Sequence, residues 1–194
     1  MRNNKRTQTP TGQVRIIGGD CRGRKLTVLN ADGLRPTSDR VKETLFNWLQ
    51  FDVPGAYCLD VFAGTGGLGF EAASRGAKEV KLLELNAANA KKLKDNQALL
   101  KLDNTSIMQT DSLEWLQQPA EKAFDNVFLD PPFHQKMMQK SLDLLFANHY
   151  LHSNSILYIE QEKQLEWPRL PEGWGIKKSK NTSQVRFAVF TNQT

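Results

Sequence analysis

From Tyr57 to Glu160 short apolar runs alternate with stretches whose apolar residues recur at helical spacing, and few architectures accept that order. The pattern predicts strands near 57–61, 79–84, 105–109, 125–129 and 155–160, with helices near 68–75, 87–100, 112–117 and 136–147 between them. Strands joined through helices run parallel, and the helices then cover both faces of one sheet. At 194 residues the chain is expected to form one α/β domain, large enough to bury about 70% of the surface its unfolded form exposes. Any ligand of such a sheet sits beyond the carboxyl ends of its strands.

The two ends of the chain depart from this alternation. Val14, Ile16 and Ile17 lead into Gly18-Gly19 and Leu26 to Leu29 lead out, which predicts a β-ribbon. Arg35-Pro36-Thr37-Ser38 then opens a helix, with Thr37 or Ser38 as cap and Val41, Leu45, Trp48 and Leu49 on its apolar face. Arg40 and Lys42 are left to face solvent or ligand. Near the C-terminus, runs at 176–179 and 185–190 flank the polar turn Lys180-Asn181-Thr182-Ser183, so a closing hairpin places an antiparallel strand in the sheet. The expected organisation is a flexible basic tail over 1–13, an extension of ribbon and helix over 14–50 that touches RNA and cofactor, and a main domain over 51–194.

The net charge of +5 is uneven, because residues 1–25 hold seven Lys/Arg and one acid while the rest is nearly balanced. A basic arm attracts nucleic acid by neutralising phosphates and releasing counterions. Arg15, Arg22, Arg24 and Lys25 interleave with apolar residues, so a rigid ribbon would present them together to RNA. Only Cys21 and Cys58 are present, with no CxxC, and the three histidines have no ligand spacing. Neither a disulfide framework nor a metal site is expected, and a reducing cytoplasm fits. No apolar stretch reaches membrane-spanning length and the N-terminus lacks a hydrophobic signal segment, so the expectation is a soluble cytoplasmic protein, read as a monomer without a membrane partner.

Gly64-Thr65-Gly66-Gly67-Leu68-Gly69 matches G-x-G-x-x-G directly after a predicted strand. Its glycines let the backbone approach a nucleoside ligand, and the helix that follows offers unpaired N–H groups. The loop alone does not choose between a dinucleotide and S-adenosyl-L-methionine. Asp60, at the strand end four residues earlier, suits a cationic amino group better than a pyrophosphate. Glu84 ends the next strand, where a carboxylate can accept from a ribose diol. Asp111-Ser112 is placed to touch an adenine, although Asp111 reads equally as a helix cap. The cofactor-binding set is therefore Asp60, Phe62, Ala63, Gly64, Thr65, Gly66, Leu68, Gly69, Glu84, Leu85, Asp111 and Ser112.

The strand Asn126-Val127-Phe128-Leu129 ends in Asp130-Pro131-Pro132-Phe133. Nucleobase amines are poor nucleophiles, because the nitrogen lone pair is delocalised into the ring. A catalyst helps by accepting both amine hydrogens out of the base plane. The Asp130 carboxylate can take one and the Pro131 carbonyl the other, with Pro131 and Pro132 fixing the backbone that aims them. Phe133 can stack on a base extruded from its helix. Together the two motifs point to methyl transfer onto an amine of a nucleobase. A DNA adenine or cytosine methyltransferase stays open at this stage, as does an NAD-dependent oxidoreductase on the glycine pattern alone.

Val14 to Gly19, Leu34 to Leu49, the Asp60 to Ala77 segment and Phe128 to Phe133 resemble the RsmD family, from about residue 14 to the C-terminus. The resemblance implies a Rossmann-like class I fold with a seven-stranded sheet, mostly parallel, preceded by a small N-terminal extension. It implies S-adenosyl-L-methionine as cofactor and the N2 amine of one guanosine in 16S rRNA as target, within the small subunit or an assembly intermediate. Arg35, Thr37 and Arg40 are expected near the cofactor carboxylate or a target phosphate, so Arg35 and Thr37 join the cofactor-binding set and Arg40 the RNA-binding set. Thr65 stands where the family more often has Ser, which keeps the hydroxyl.

Overall fold

The computed structural model describes residues 12–29, 36–133 and 137–194. Most of the predicted tail and Arg35 lie outside these residues. Among the described residues the chain forms a two-stranded ribbon and a seven-stranded sheet. The ribbon is β1 (Gly12–Arg15) against β2 (Lys25–Val28), antiparallel, so pairing already includes Gly12 and Gln13 of the segment assigned to the tail.

Helix α1 (Asp39–Trp48) follows, capped by Ser38, whose side chain accepts from Val41 N. Then come β3 (Tyr57–Asp60), α2 (Gly67–Ser74), β4 (Glu79–Glu84), α3 (Ala87–Leu100), β5 (Thr105–Gln109), α4 (Ser112–Trp115) and β6 (Phe124–Leu129). The chain ends with α5 (Met137–Ala147), β7 (Leu151–Glu162), β8 (Trp174–Asn181) and β9 (Val185–Asn192). In the sheet the order is β5-β4-β3-β6-β7-β9-β8, with β3 to β7 parallel and β9 antiparallel to both of its neighbours. The chain therefore builds outward from β3 in one direction and from β6 in the other. The switch point between these two strands is where such a sheet opens a crevice.

Side chains alternate across the sheet, as a strand period of two requires. Cys58, Val80, Leu82, Phe128 and Tyr158 face one core with Leu45 and Phe46 of α1, Phe70 and Ala73 of α2 and Leu93 of α3. Leu59, Leu83, Val127, Leu129, Leu157 and Ile159 face the other, with Leu116 beside α4 and Leu142 and Leu145 of α5. β7 begins four residues earlier than the alternation predicts. Its first residues pair across a bulge between Phe124 and Asn126. Ser155 Oγ holds that irregular segment by donating to Phe124 O (2.6 Å) and accepting from His152 N (2.8 Å).

The ribbon is clamped to the C-terminal half of α2. Ser74 Oγ donates to Gly18 O (2.7 Å) and accepts from Cys21 N (2.9 Å), and Ile17 N donates to Glu71 Oε2 (2.9 Å). Gly19 sits at φ +71°, where a Cβ would lie 1.8 Å from Ser74 O, so glycine is required. One sequence expectation fails here. Lys42 does not face solvent or ligand: it is fully buried beneath the ribbon, its Nζ held by the Arg15 carbonyl and by Asp39 Oδ1 at 3.3 Å. Helical periodicity reports the face that meets the sheet, and the ribbon covers a second face of α1.

Candidate active site

A cavity of about 1220 Å³ opens at the carboxyl ends of the strands. It is lined on one side by Asp60, Phe62, Ala63, Gly64, Thr65, Leu68, Glu84, Leu85, Asp111 and Ser112, and on the other by Asp130, Pro131, Pro132 and Phe133. Asp60 ends β3 and Asp130 follows β6, and those strands pair with Asp60 opposite Phe128. Both carboxylates thus flank the switch point. Thr37 and Arg40 also line the cavity. Arg15, Arg22, Arg24 and Lys25 are not among its lining residues: Arg15 is ion-paired with Asp39 at 2.8 Å, and Arg24 donates to Leu99 O at 3.0 Å. Gly66 and Gly69 shape the loop from behind rather than line it.

The loop geometry follows from its glycines. Gly66 caps α2 in the left-handed region at φ +78°, and a Cβ there would stand 2.5 Å from the Phe70 ring. Gly69 N donates to Asp60 Oδ2 at 2.9 Å, so the first turn of α2 is tied to the tip of β3. Asp60 is 2% exposed. Burial pushes its carboxyl up to about 7, with Glu84 adding to the rise and the amides of Gly69 and Phe62 opposing it. An anion so short of compensation is placed to receive a cation.

Glu84 is anchored by two amides, Gly64 N to Oε2 at 3.0 Å and Asn86 N to Oε1 at 2.7 Å. Burial raises its carboxyl as well, against those amides and Asn89. The carboxylate is thereby fixed at the cavity wall with lone pairs to spare for a diol. Leu85 beside it is 64% exposed, an apolar lip suited to cover a planar ring. Asp111 does cap α4, its Oδ1 accepting from Leu113 N (2.8 Å) and Glu114 N (3.2 Å), and it lines the cavity as well. Ser112 Oγ bonds Val61 O at 2.5 Å, tying the β5–α4 corner to the glycine loop.

Asp130 is only partly exposed, and Pro131 behind it is buried. Burial pushes the Asp130 carboxyl well above its ordinary range, Glu160, Asp60 and Glu162 add to the rise, and a hydrogen bond from the Thr37 side chain opposes it. Thr37 thus addresses the acidic turn from the cavity wall. Sequence reasoning missed Glu160 and the segment 180–185, which also line the cavity. Glu160 closes the apolar run Ile156 to Ile159, the same signal that marked Asp60 and Glu84, although β7 continues to Glu162. Tyr158 donates to its Oε2 at 2.7 Å. The β8–β9 turn reaches the cavity because β8 runs in the direction of β7 and ends at the same edge.

Comparison with known proteins identifies the family of the chain and its fold. Ribosomal RNA small subunit methyltransferase D of Haemophilus influenzae is 48% identical over 194 residues, covering 97% of this chain and 100% of that protein. Its namesake in Escherichia coli K12 is 39% identical over 189 residues, covering 97% and 95%. The solved structure of yhhF from Escherichia coli matches with a TM-score of 0.88 at 38% identity, over 94% of this chain and 99% of that one. HI0767 of Haemophilus influenzae, described as a methylase, matches with a TM-score of 0.81 at 43% identity, over 94% and 100%. The model of the family described as Conserved hypothetical protein 95 matches residues 14–191. With the relatives covered over almost their whole length and the sheet built on the class I methyltransferase plan, the chain belongs to that family, the RsmD family.

Proposed function

We propose that this protein transfers a methyl group from S-adenosyl-L-methionine to the exocyclic N2 amine of a guanosine in 16S rRNA, within the small ribosomal subunit or its assembly intermediate. The observation that carries the reading is one continuous cavity shared by the glycine loop with its acids and by Asp130 to Phe133. The relatives named for small-subunit rRNA supply the class of nucleic acid.

The residues fit the cofactor. Asp60 is a buried carboxylate with its proton affinity raised to about 7, and among the described residues no cation offsets that rise, a role the ammonium group of the cofactor would fill. Glu84 is held rigid where a ribose diol would lie, and Leu85 with Asp111 and Ser112 borders the space for an adenine. When bound, the cofactor supplies a methyl group activated by a sulfonium centre.

The chain's own task is to position the amine. Asp130 and the Pro131 carbonyl accept its two hydrogens out of the base plane, which draws the nitrogen toward tetrahedral geometry and localises its lone pair on the cofactor side of the cavity. The raised proton affinity of Asp130 suits it to take the proton that the amine sheds. Phe133 gives the extruded base a face to stack on. Positioning accounts for most of the rate gain.

Purified protein, labelled S-adenosyl-L-methionine and small subunits from cells lacking this protein should yield N2-methylguanosine on mass-spectrometric digestion. Asp130→Ala should lower the rate by about 10² or more. Label recovered only on adenine N6 or cytosine N4 of DNA would move the reading to the DNA amino-methyltransferases. Calorimetric binding of NAD in place of S-adenosyl-L-methionine would end it.

A further inference from the structure

We propose that the edge strand β8 is a second RNA-contact surface, in which Lys177, Lys178 and Lys180 engage phosphates flanking the target nucleotide. This inference rests on the reading of the cavity as the site of base methylation.

The charge distribution is the first observation. From Gly173 to Thr194 the only charged side chains are Lys177, Lys178, Lys180 and Arg186. Averaged over the main domain this excess is hidden by the acids elsewhere, which is why the sequence draws attention to the N-terminus alone. All three lysines of β8 are exposed. They belong to the last strand in the sheet order, so no neighbour within the sheet covers its outer side.

Position relative to the cavity is the second. β8 runs toward the carboxyl edge of the sheet, and Lys180 lines the cavity with Asn181, Ser183 and Gln184. The turn that follows is pre-organised: Thr182 N donates to Val185 O at 2.8 Å, and Thr182 Oγ1 accepts from Val185 N at 3.0 Å and Gln184 N at 3.2 Å. Asp130 to Phe133 and this turn line one cavity, so the backbone on either side of a base held there comes within reach of the turn. Lys178 and Lys180, two residues apart on one strand, are spaced about 6.6 Å along it and share a face. Their cations can therefore meet successive phosphates. Between Ile176 and Lys178 the pairing with β9 is irregular, and Lys177 is the inserted residue. It opens a second direction for contact at the same place.

Lysines on an edge strand also serve to block pairing with other sheets. The two roles separate experimentally. Filter binding of 16S rRNA at several salt concentrations should show the Lys177→Gln/Lys178→Gln variant with a salt slope reduced by about 1.4, that is about 0.7 for each lost phosphate contact. The KM for small subunits should rise. Lys78→Gln, at the opposite end of the strands, should keep the wild-type slope. An unchanged slope in the double variant would overturn the proposal, and self-association of that variant would assign the lysines to edge protection instead. Wild-type methyl incorporation is measured in parallel. Its absence would sink the methylation reading, whereas its presence with an unaltered slope would sink only the inference about β8.

Discussion

Asp60 shows how one buried side chain joins stability to binding. Its carboxyl, raised to about 7 by burial and by Glu84, holds its proton more tightly in the folded chain than in the unfolded one. Stability of the ligand-free protein is therefore fullest near the unfolded pKa of about 4 and falls as pH rises toward 7. Urea denaturation at pH 5 and pH 8 should show this decline, and Asp60→Asn should flatten it. A cationic ligand reverses the preference, since it needs the ionised form. S-adenosyl-L-methionine affinity should thus fall by up to about tenfold per pH unit below 7, which calorimetry between pH 5.5 and 7 would check. Gly66 illustrates a purely steric requirement. Its φ is +78° and the Phe70 ring lies 2.5 Å from where a Cβ would stand. Gly66→Ala therefore combines left-handed strain with overpacking and should cost about 2–4 kcal/mol in urea unfolding.

The elements carry the parts of the fold that sequence can announce. β3 to β6 and α2, α3 and α5 fall where apolar spacing puts them, because each buries a face whose period its own residues record. The acids at strand ends are legible for the same reason: Asp60, Glu84 and Asp130 each close an apolar run and so must sit at the sheet's edge. What local pattern does not encode is the insertion of β9 between β7 and β8, and with it the arrival of residues 180–185 at the cavity. The burial of Lys42 escapes the sequence because it depends on the docked ribbon and not on α1. That docking has a testable weak point in Ser74, whose hydroxyl serves the backbone of both Gly18 and Cys21. Ser74→Ala leaves two buried backbone groups without their partner, at about 1–3 kcal/mol each. Hydrogen exchange should then accelerate at Ile16, Ile17 and Cys21 while the amides of β3 and β6 keep their protection.

At the scale of the whole molecule, strands from both halves of the sheet bring carboxylates to one cavity: Asp60 from β3, Asp130 beyond β6 and Glu160 from β7. Their mutual repulsion helps to set the proton affinity of Asp130. If Asp130 must be ionised to accept an amine hydrogen, the single-turnover rate rises with pH through its raised pKa and is lost as pH falls below it. Neutralising a neighbour lowers that pKa, so Glu160→Gln should move the acidic limb of the profile to lower pH. Asp60→Asn exerts the same influence in the free protein, yet at saturating cofactor it should move the limb little, because an ammonium beside Asp60 already offsets its charge. The contrast distinguishes the two halves of the site by electrostatics alone: equal shifts for both variants would show that no cation sits at Asp60 during turnover, and no shift for Glu160→Gln would assign the acidic limb to a group other than Asp130.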